Sequence, residues 1–428
     1  MKRFPVIDYS THPAFTHLPQ YTDTISEDLH KAFIEINVRM DEFDGKTEIY
    51  SLGQIESFYK HTIAEFVSNT ISPLIHAYQG NEESRQLMIN ALGTFIQKLI
   101  DQSVYFNLKK QFPVKLTSAK SKKVYDELNE HGITLSTISA SDIEKYNKGI
   151  SAYRSEIKRQ SDENPLGRNA LSLPRRSSHW GIIEKNMFQS GFIEGASAFY
   201  GSNLVVTGCG LEYSSERQRW WHNCYADVGI PTTKCVYMHN DYDYDYVKSL
   251  VYLNNIESTE GGPFCYIPES HKWQREKSLS FYIKDLEIQL AAAARKKGVA
   301  KNTYYRPAMS SVEGRTLFIA LPKLFRQLSH FGDDVLDETD LSKELLSKEM
   351  AVTSDKGNFC FFTGGSGIHR GGNVYKGDRW ALQITLTKEP ALTKKISSFA
   401  RNTAGTILAT ILGEDRMLQL HKRYNTVI

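Results

Sequence analysis

His239 and Asp241 stand one residue apart in the stretch Tyr237-Met238-His239-Asn240-Asp241-Tyr242-Asp243. Side chains alternate along an extended strand, so both would point to one face. A neutral imidazole and a carboxylate converging from one strand are two members of a 2-His-1-carboxylate triad. That set holds non-haem Fe(II) and leaves positions open for a co-substrate and O2. His-x-Asp alone has a plainer rival, a surface histidine beside a turn carboxylate. Asp243 and Asp245 share the strand parity of Asp241 and compete with it for the role.

A third ligand must come from a distant strand. The apolar run Asn358–Phe362 leads into Thr363-Gly364-Gly365-Ser366-Gly367-Ile368 and then His369. Arg379 follows ten residues later and opens the run Trp380–Thr387. A guanidinium keeps its proton and can grip a carboxylate with two parallel hydrogen bonds, which suits a buried dicarboxylate. Lys248 is the rival anchor. Arg370 adjoins His369 and should face away from it. Tyr237 shares the face of His239, as pocket lining or as core. His271, after Ser270 in a tight turn, reads as a structural hydrogen-bonding group. Trp220-Trp221 reads as packing, and Tyr242, Tyr244 and Tyr246 as a pocket-mouth loop or a solvated strand edge. His179, His222 and His330 are isolated and receive no role.

The elements that must position these groups fall into three stretches. Residues 1–120 read as helical. Leu29, Phe33, Ile36 and Met40 recur behind Ser26 as a cap, Ile55, Phe58, Ile63 and Phe66 recur within Gln54–His76, and Leu87 to Ile100 form a broad apolar face in a third helix. Lys115 to Lys123 reads as a basic loop. Tyr125–His131 is expected as a helix stopped by Gly132 and followed by a strand, and Ser139 caps the next helix. From about 177 to 387 short β-rich runs alternate with turn residues: Leu204–Thr207, Cys235–Met238, Ser249–Leu253, Phe264–Ile267, Thr316–Ala320, Asn358–Phe362 and Trp380–Thr387. Tyr282–Lys297 is a helical insert ending at Gly298. Residues 393–428 read as a helical tail, Lys394–Tyr424 above all. The domain expectation is therefore 1–120 helical, 121–392 β-rich with an insertion at about 275–350, and 393–428 a tail.

Composition narrows the class. The chain has 428 residues, 40% hydrophobic and 24% charged, enough to bury a core without disulfides or structural metal. A net charge of +3 is too close to balance to argue for nucleic acid or a membrane surface as a partner, and neither is expected. Five cysteines, an odd number with no CxxC pair, suggest a reducing compartment rather than a disulfide framework. No signal peptide or membrane span is read, so a cytoplasmic location is expected.

Three further stretches carry a family resemblance: Tyr125–Lys148, Ser249–Asn255, and above all Gly261-Gly262-Pro263-Phe264-Cys265-Tyr266-Ile267-Pro268-Glu269-Ser270-His271-Lys272. Over roughly residues 125–390 the chain resembles the phytanoyl-CoA dioxygenase-like Fe(II)/2-oxoglutarate oxygenases. The resemblance implies an α+β fold with a double-stranded β-helix (jelly-roll, cupin-like) core. It implies His239, Asp241 and His369 as iron ligands, Arg379 as partner of the distal carboxylate of 2-oxoglutarate, and Fe(II), 2-oxoglutarate and O2 as cofactor and co-substrates. The implied reaction is hydroxylation of a C–H bond in a small molecule, with release of succinate and CO2. An Asp at 241 argues against halogenation, which needs that ligand position open to halide. The sequence departs from the family at Glu269, where Gly is common, and at Gly371, where several members carry a Ser that bonds the co-substrate. The 128 positions from Asp241 to His369 make a long gap, with insertions expected to cap the substrate. The basic segment Arg295 to Arg306 hints at an anionic substrate. The alternative is a non-catalytic interaction or structural protein on an oxygenase scaffold. Protein or nucleic-acid demethylation would need a basic groove fed by Lys120, Lys122, Lys123, Arg175 and Arg176. Substrate and oligomeric state are not legible.

Overall fold

The computed structural model describes residues 3–46, 48–111, 115–163, 170–173, 178–217, 225–230, 233–235, 238–241, 247–273, 276–297, 309–328 and 335–388. The C-terminal tail, Trp220-Trp221, His222, Tyr237, residues 242–246 (with the rival ligands Asp243 and Asp245), Arg175, Arg176, Gly298, Arg306 and His330 lie outside the described residues. Two compact units emerge: residues 1–113, 221–239 and 272–348 form the first, and 114–220, 240–271 and 349 onward form the second.

The first unit is helical. Leu29, Ala32, Phe33, Ile36 and Met40 line the buried face of Ser26–Asp44, as the apolar stripe requires. Ser26 is not its cap: the Asp23 carboxylate accepts from both the Ser26 amide and its hydroxyl. Residues 52–77 form a helical run containing two π segments, Phe58–Ile63 and Val67–Ile71. Its buried residues are Ile55, Tyr59, Ile63, Val67, Ile71 and Ile75, one every four positions. At 3.6 residues per turn such a stripe would drift about 40° each repeat; underwinding the helix keeps it facing the core. Helix Glu82–Gln111 packs on helix Lys277–Lys296, and Phe33, Phe95, Tyr282 and Phe325 interlock around them. Thr316–Ala320, expected as a strand, instead ends helix Val312–Ile319. The Ser311 hydroxyl accepts from the Gly314 amide and caps this helix, and Leu317, Phe318 and Ile319 are buried. A run this short is compatible with either period, and packing chose the helix.

A pH response is built into this unit. His12 is 3% exposed, and its Nδ1 accepts from the Ala14 amide at 3.2 Å. Burial first, and the Arg315 charge second, pull its pKa from 6.5 to about 4. The unfolded chain takes up this proton near pH 6.5 and the folded chain only near 4. Stability therefore falls as pH drops through that window, by about 3 kcal/mol. Urea midpoints at pH 7 and pH 4.5 should show that fall in the wild type and a smaller one in His12→Phe.

The second unit is built on two antiparallel sheets. Their strands are β1 (Ile133–Ser136), β2 (Ala170–Ser172), β3 (Leu204–Ser215), β4 (Val247–Tyr252), β5 (Phe264–Tyr266), β6 (Met350–Val352), β7 (Phe359–Phe362), β8 (His369–Gly371) and β9 (Asp378–Lys388). The larger sheet runs β1-β7-β4-β9-β3-β2 and the smaller β6-β5-β8. Period-two alternation gives the larger sheet two apolar faces. Val247, Val251, Phe359, Phe361, Leu382 and Ile384 pack with the helices through Val124, Tyr146, Ile183 and Phe192. Leu250, Tyr252, Cys360, Phe362 and Ala381 meet Phe264, Tyr266 and Val352 of the smaller sheet. Helix Ala119–His131 ends at Gly132 (φ 78°), and Ser139 caps the helix Ala140–Gly149, both as expected. The basic loop does not hold: Ser118 caps Ala119–His131, so Lys120, Lys122 and Lys123 sit in its first turns. Among the described residues no helix is long and apolar enough to cross a membrane.

Candidate metal centre

Short strand β8 sets His369 opposite Tyr266, with Gly371 opposite Phe264. The ring is 5% exposed and lies 4.9 Å from the Phe362 ring and 5.8 Å from the Phe264 ring. Its Nδ1 faces the Gly367 carbonyl oxygen at 3.1 Å. A carbonyl only accepts, so Nδ1 carries the proton and the lone pair of the neutral ring sits on Nε2. That Nε2 lies 3.6 Å from Asp241 Oδ2. Ligand atoms of His239, Asp241 and His369 all lie within 4.8 Å of one another. An octahedral ion with bonds of about 2.1 Å spaces neighbouring ligand atoms about 3 Å apart. Two imidazoles, a carboxylate, the correct tautomer at His369 and apolar walls fit a divalent transition metal. The three residues picked out by spacing thus come together.

The glycine-rich turn is part of this geometry. The Gly364 carbonyl accepts from the Asp241 amide at 2.7 Å. A Cβ on Gly364 would lie 2.2 Å from Asp241 Oδ2, so only glycine lets the carboxylate rest there. Gly364→Ala should therefore push the carboxylate aside and weaken divalent-metal binding by about tenfold or more, a loss like that from disturbing an outer-shell partner. Calorimetric Co(II) titration reads this directly, with the far-UV spectrum checking that the fold persists.

Arg370 points away from the triad, as its strand parity requires. It makes a two-pronged ion pair with Glu349, Nε to Oε1 at 2.6 Å and Nη2 to Oε2 at 2.8 Å, and this ties β8 to the start of β6. Arg379 lies on β9 opposite Ser214 of β3. Its guanidinium donates to the Gly262 and Gly372 carbonyls and to Ser214 Oγ. A Cβ at Gly371 would lie 3.1 Å from Arg379 Nη2, so the position without the expected hydroxyl is beside this arginine. Lys248 is elsewhere. It pairs with Thr385 on β9, six residues from Arg379, which is about 20 Å of strand. Its Nζ donates to Asp241 Oδ1 at 2.7 Å.

The Gly262…His271 stretch braces the site. Ser270 Oγ accepts from the Ile368 amide just before His369. Glu269 takes the left-handed conformation (φ 66°) that glycine adopts more cheaply, so the turn keeps its shape at about 1–2 kcal/mol of backbone cost. His271 Nε2 donates to the Asn129 carbonyl at 3.1 Å, a structural bond. The roles of Ser270, Ser214 and Lys248 were hidden in the sequence, although Lys248 had a signal: it shares strand parity with Leu250 and Tyr252 on an apolar face. Burial pushes the thiols of Cys265 and Cys360 up to about 12, so neither supplies a thiolate. Lys122 pairs with Asp126, and Lys120 donates to the Gln189 carbonyl.

No protein-family profile matches the chain. No curated protein matches it either. Among solved structures it is similar to SnoN, a non-heme alpha-ketoglutarate-dependent epimerase from nogalamycin biosynthesis, at 10% identity over 63% of this chain and 83% of that one, with a TM-score of 0.33. It is also similar to HygX from Streptomyces hygroscopicus with nickel and 2-oxoglutarate bound (13% identity, 64% and 88% covered, TM-score 0.32). AviO1 from Streptomyces viridochromogenes Tue57 is a third (12% identity, 64% and 100% covered, TM-score 0.32). With TM-scores near one third, these likenesses set neither reaction nor substrate.

Proposed function

We propose that this chain is an Fe(II)- and 2-oxoglutarate-dependent oxygenase, hydroxylating a C–H bond of a small molecule. The observation that carries this is the convergence of His239, Asp241 and His369, with the lone pair of His369 on Nε2 facing Asp241. In this reading the two facing sheets are a double-stranded β-helix. The Gly262-Pro263…Ser270-His271 stretch supports kinship with the phytanoyl-CoA dioxygenase-like enzymes.

When bound, Fe(II) with 2-oxoglutarate and O2 supplies the oxidising chemistry, which releases succinate and CO2. The chain's own residues do the rest. His239, Asp241 and His369 would hold the ion. Arg379, on the inner face of β9 beside Gly371, would take the far carboxylate of the co-substrate once its guanidinium turns from the Gly262 and Gly372 carbonyls. Phe264 and Phe362 keep water from the His369 side. No side chain need act as a general base.

Anaerobic titration of Fe(II) with 2-oxoglutarate tests this. A weak metal-to-ligand charge-transfer band in the visible should appear in the wild type and be absent in His239→Ala. A wild type without the band, or a variant with the full band, would sink the proposal and favour a non-catalytic scaffold.

A further inference from the structure

Lys248 is a lysine on a strand face otherwise given to the core. Leu250 and Tyr252 share its parity on β4 and are buried in the apolar cluster between the sheets, while Val247 and Val251 face the helices. Its side chain is only 13% exposed and that of Asp241 12%. A lysine is costly to place there unless its charge is met. Its partner is the carboxylate of the candidate metal centre, Nζ to Oδ1 at 2.7 Å. The other oxygen of that carboxylate, Oδ2, is the one near His369 Nε2, at 3.6 Å. The two oxygens of Asp241 are thus divided between a cation of the protein and the place of the ion.

We infer that Lys248 is a positioning residue that restricts Asp241 to ligation through Oδ2 alone. This rests on the metal-centre reading above. A carboxylate bonds a metal through one oxygen or chelates with both. Chelation by Asp241 would occupy one of the three positions that the triad leaves open, of which a bidentate co-substrate takes two and O2 the third. The ammonium on Oδ1 opposes that second bond by charge and by hydrogen bonding, and so keeps the position open. Removing it should have opposite effects on two affinities: metal alone binds as well or better, and 2-oxoglutarate, left with two positions in place of three, binds worse. A lysine that merely supports the fold would weaken both together.

The test uses the full-length chain with Lys248→Met and Lys248→Arg. Co(II) is titrated first without co-substrate, and 2-oxoglutarate is then titrated into the Co(II)-loaded protein, both by calorimetry, with the visible Co(II) spectrum recorded at each stage. In Lys248→Met, Co(II) should bind at least as tightly as in wild type. 2-Oxoglutarate should bind about tenfold or more weakly, and the Co(II) spectrum without co-substrate should change. Lys248→Arg should restore both affinities to within a few-fold. Unchanged 2-oxoglutarate affinity in Lys248→Met, or a parallel loss of Co(II) affinity, overturns the role of Lys248 and leaves the metal-centre reading standing. A wild type that binds no Co(II) overturns both. If Lys248→Met unfolds, Lys248→Gln is read by the same titrations and criteria.

Discussion

Replacing His369 with alanine is expected to weaken divalent-metal binding by more than about 100-fold and, under the proposed function, to abolish 2-oxoglutarate turnover. Disturbing an outer-shell partner of a metal typically costs about 10–100-fold in affinity, and His369 would be a ligand itself. The rings of Phe362 and Phe264 beside it have no lone pair to offer in its place. The control is His271→Ala. That histidine belongs to the motif of strongest family resemblance, yet it bonds the Asn129 carbonyl. Its loss should leave Co(II) affinity within a few-fold of wild type. Calorimetric Co(II) titration of both variants decides the matter, and a His369→Ala protein with wild-type affinity would remove the metal centre from consideration.

Phe362→Ala is expected to cost about 3–5 kcal/mol of stability, the usual range for truncating a buried phenylalanine. Phe362 is 2% exposed, packs tilted against Phe264 with ring centres 4.4 Å apart, and stands 4.9 Å from His369. The cavity left would lie directly against the proposed ligand, so metal affinity should fall along with stability. Phe359 is three residues earlier on the same strand, also 2% exposed, and packs at 4.5 Å on Phe192 on the helical face. Phe359→Ala should lose a similar amount of stability while the folded protein keeps its metal affinity. Urea midpoints with Co(II) titrations at low urea separate the two faces. Equal loss of metal affinity in both variants would mean that the sheet transmits the damage regardless of face.

Chain-local physics was readable in the sequence. Short β-rich runs between turn residues mark β4, β7 and β9, glycine at 132 marks a helix end, and Ser139 marks a helix start. His239, Asp241, His369 and Arg379 were chosen because each residue type suits only a few kinds of chemistry. Where two local readings were nearly equal, the sequence did not decide. Thr316–Ala320 fits strand or helix, and it became helix because Ser311 caps it and three apolar residues found a core. The stripe from Ile55 to Ile75 repeats every four residues, so ordinary helical spacing points to Phe58 and Phe66, which are only partly buried, in place of the buried Tyr59 and Val67. The charge of Lys120, Lys122 and Lys123 suits a loop, but the Ser118 cap starts a helix there.

The sequence by itself determined which residues could ligate a metal and which faces of which strands would be apolar, because residue chemistry and strand parity are properties of the local chain. Tertiary structure alone decided that His369 presents Nε2 rather than Nδ1, since the proton is placed by the Gly367 carbonyl. It alone decided that Lys248, rather than solvent, meets Asp241. The partners are close in sequence, two residues apart for Gly367 and His369 and seven for Asp241 and Lys248, but no periodicity encodes the distance and angle at which the fold sets them.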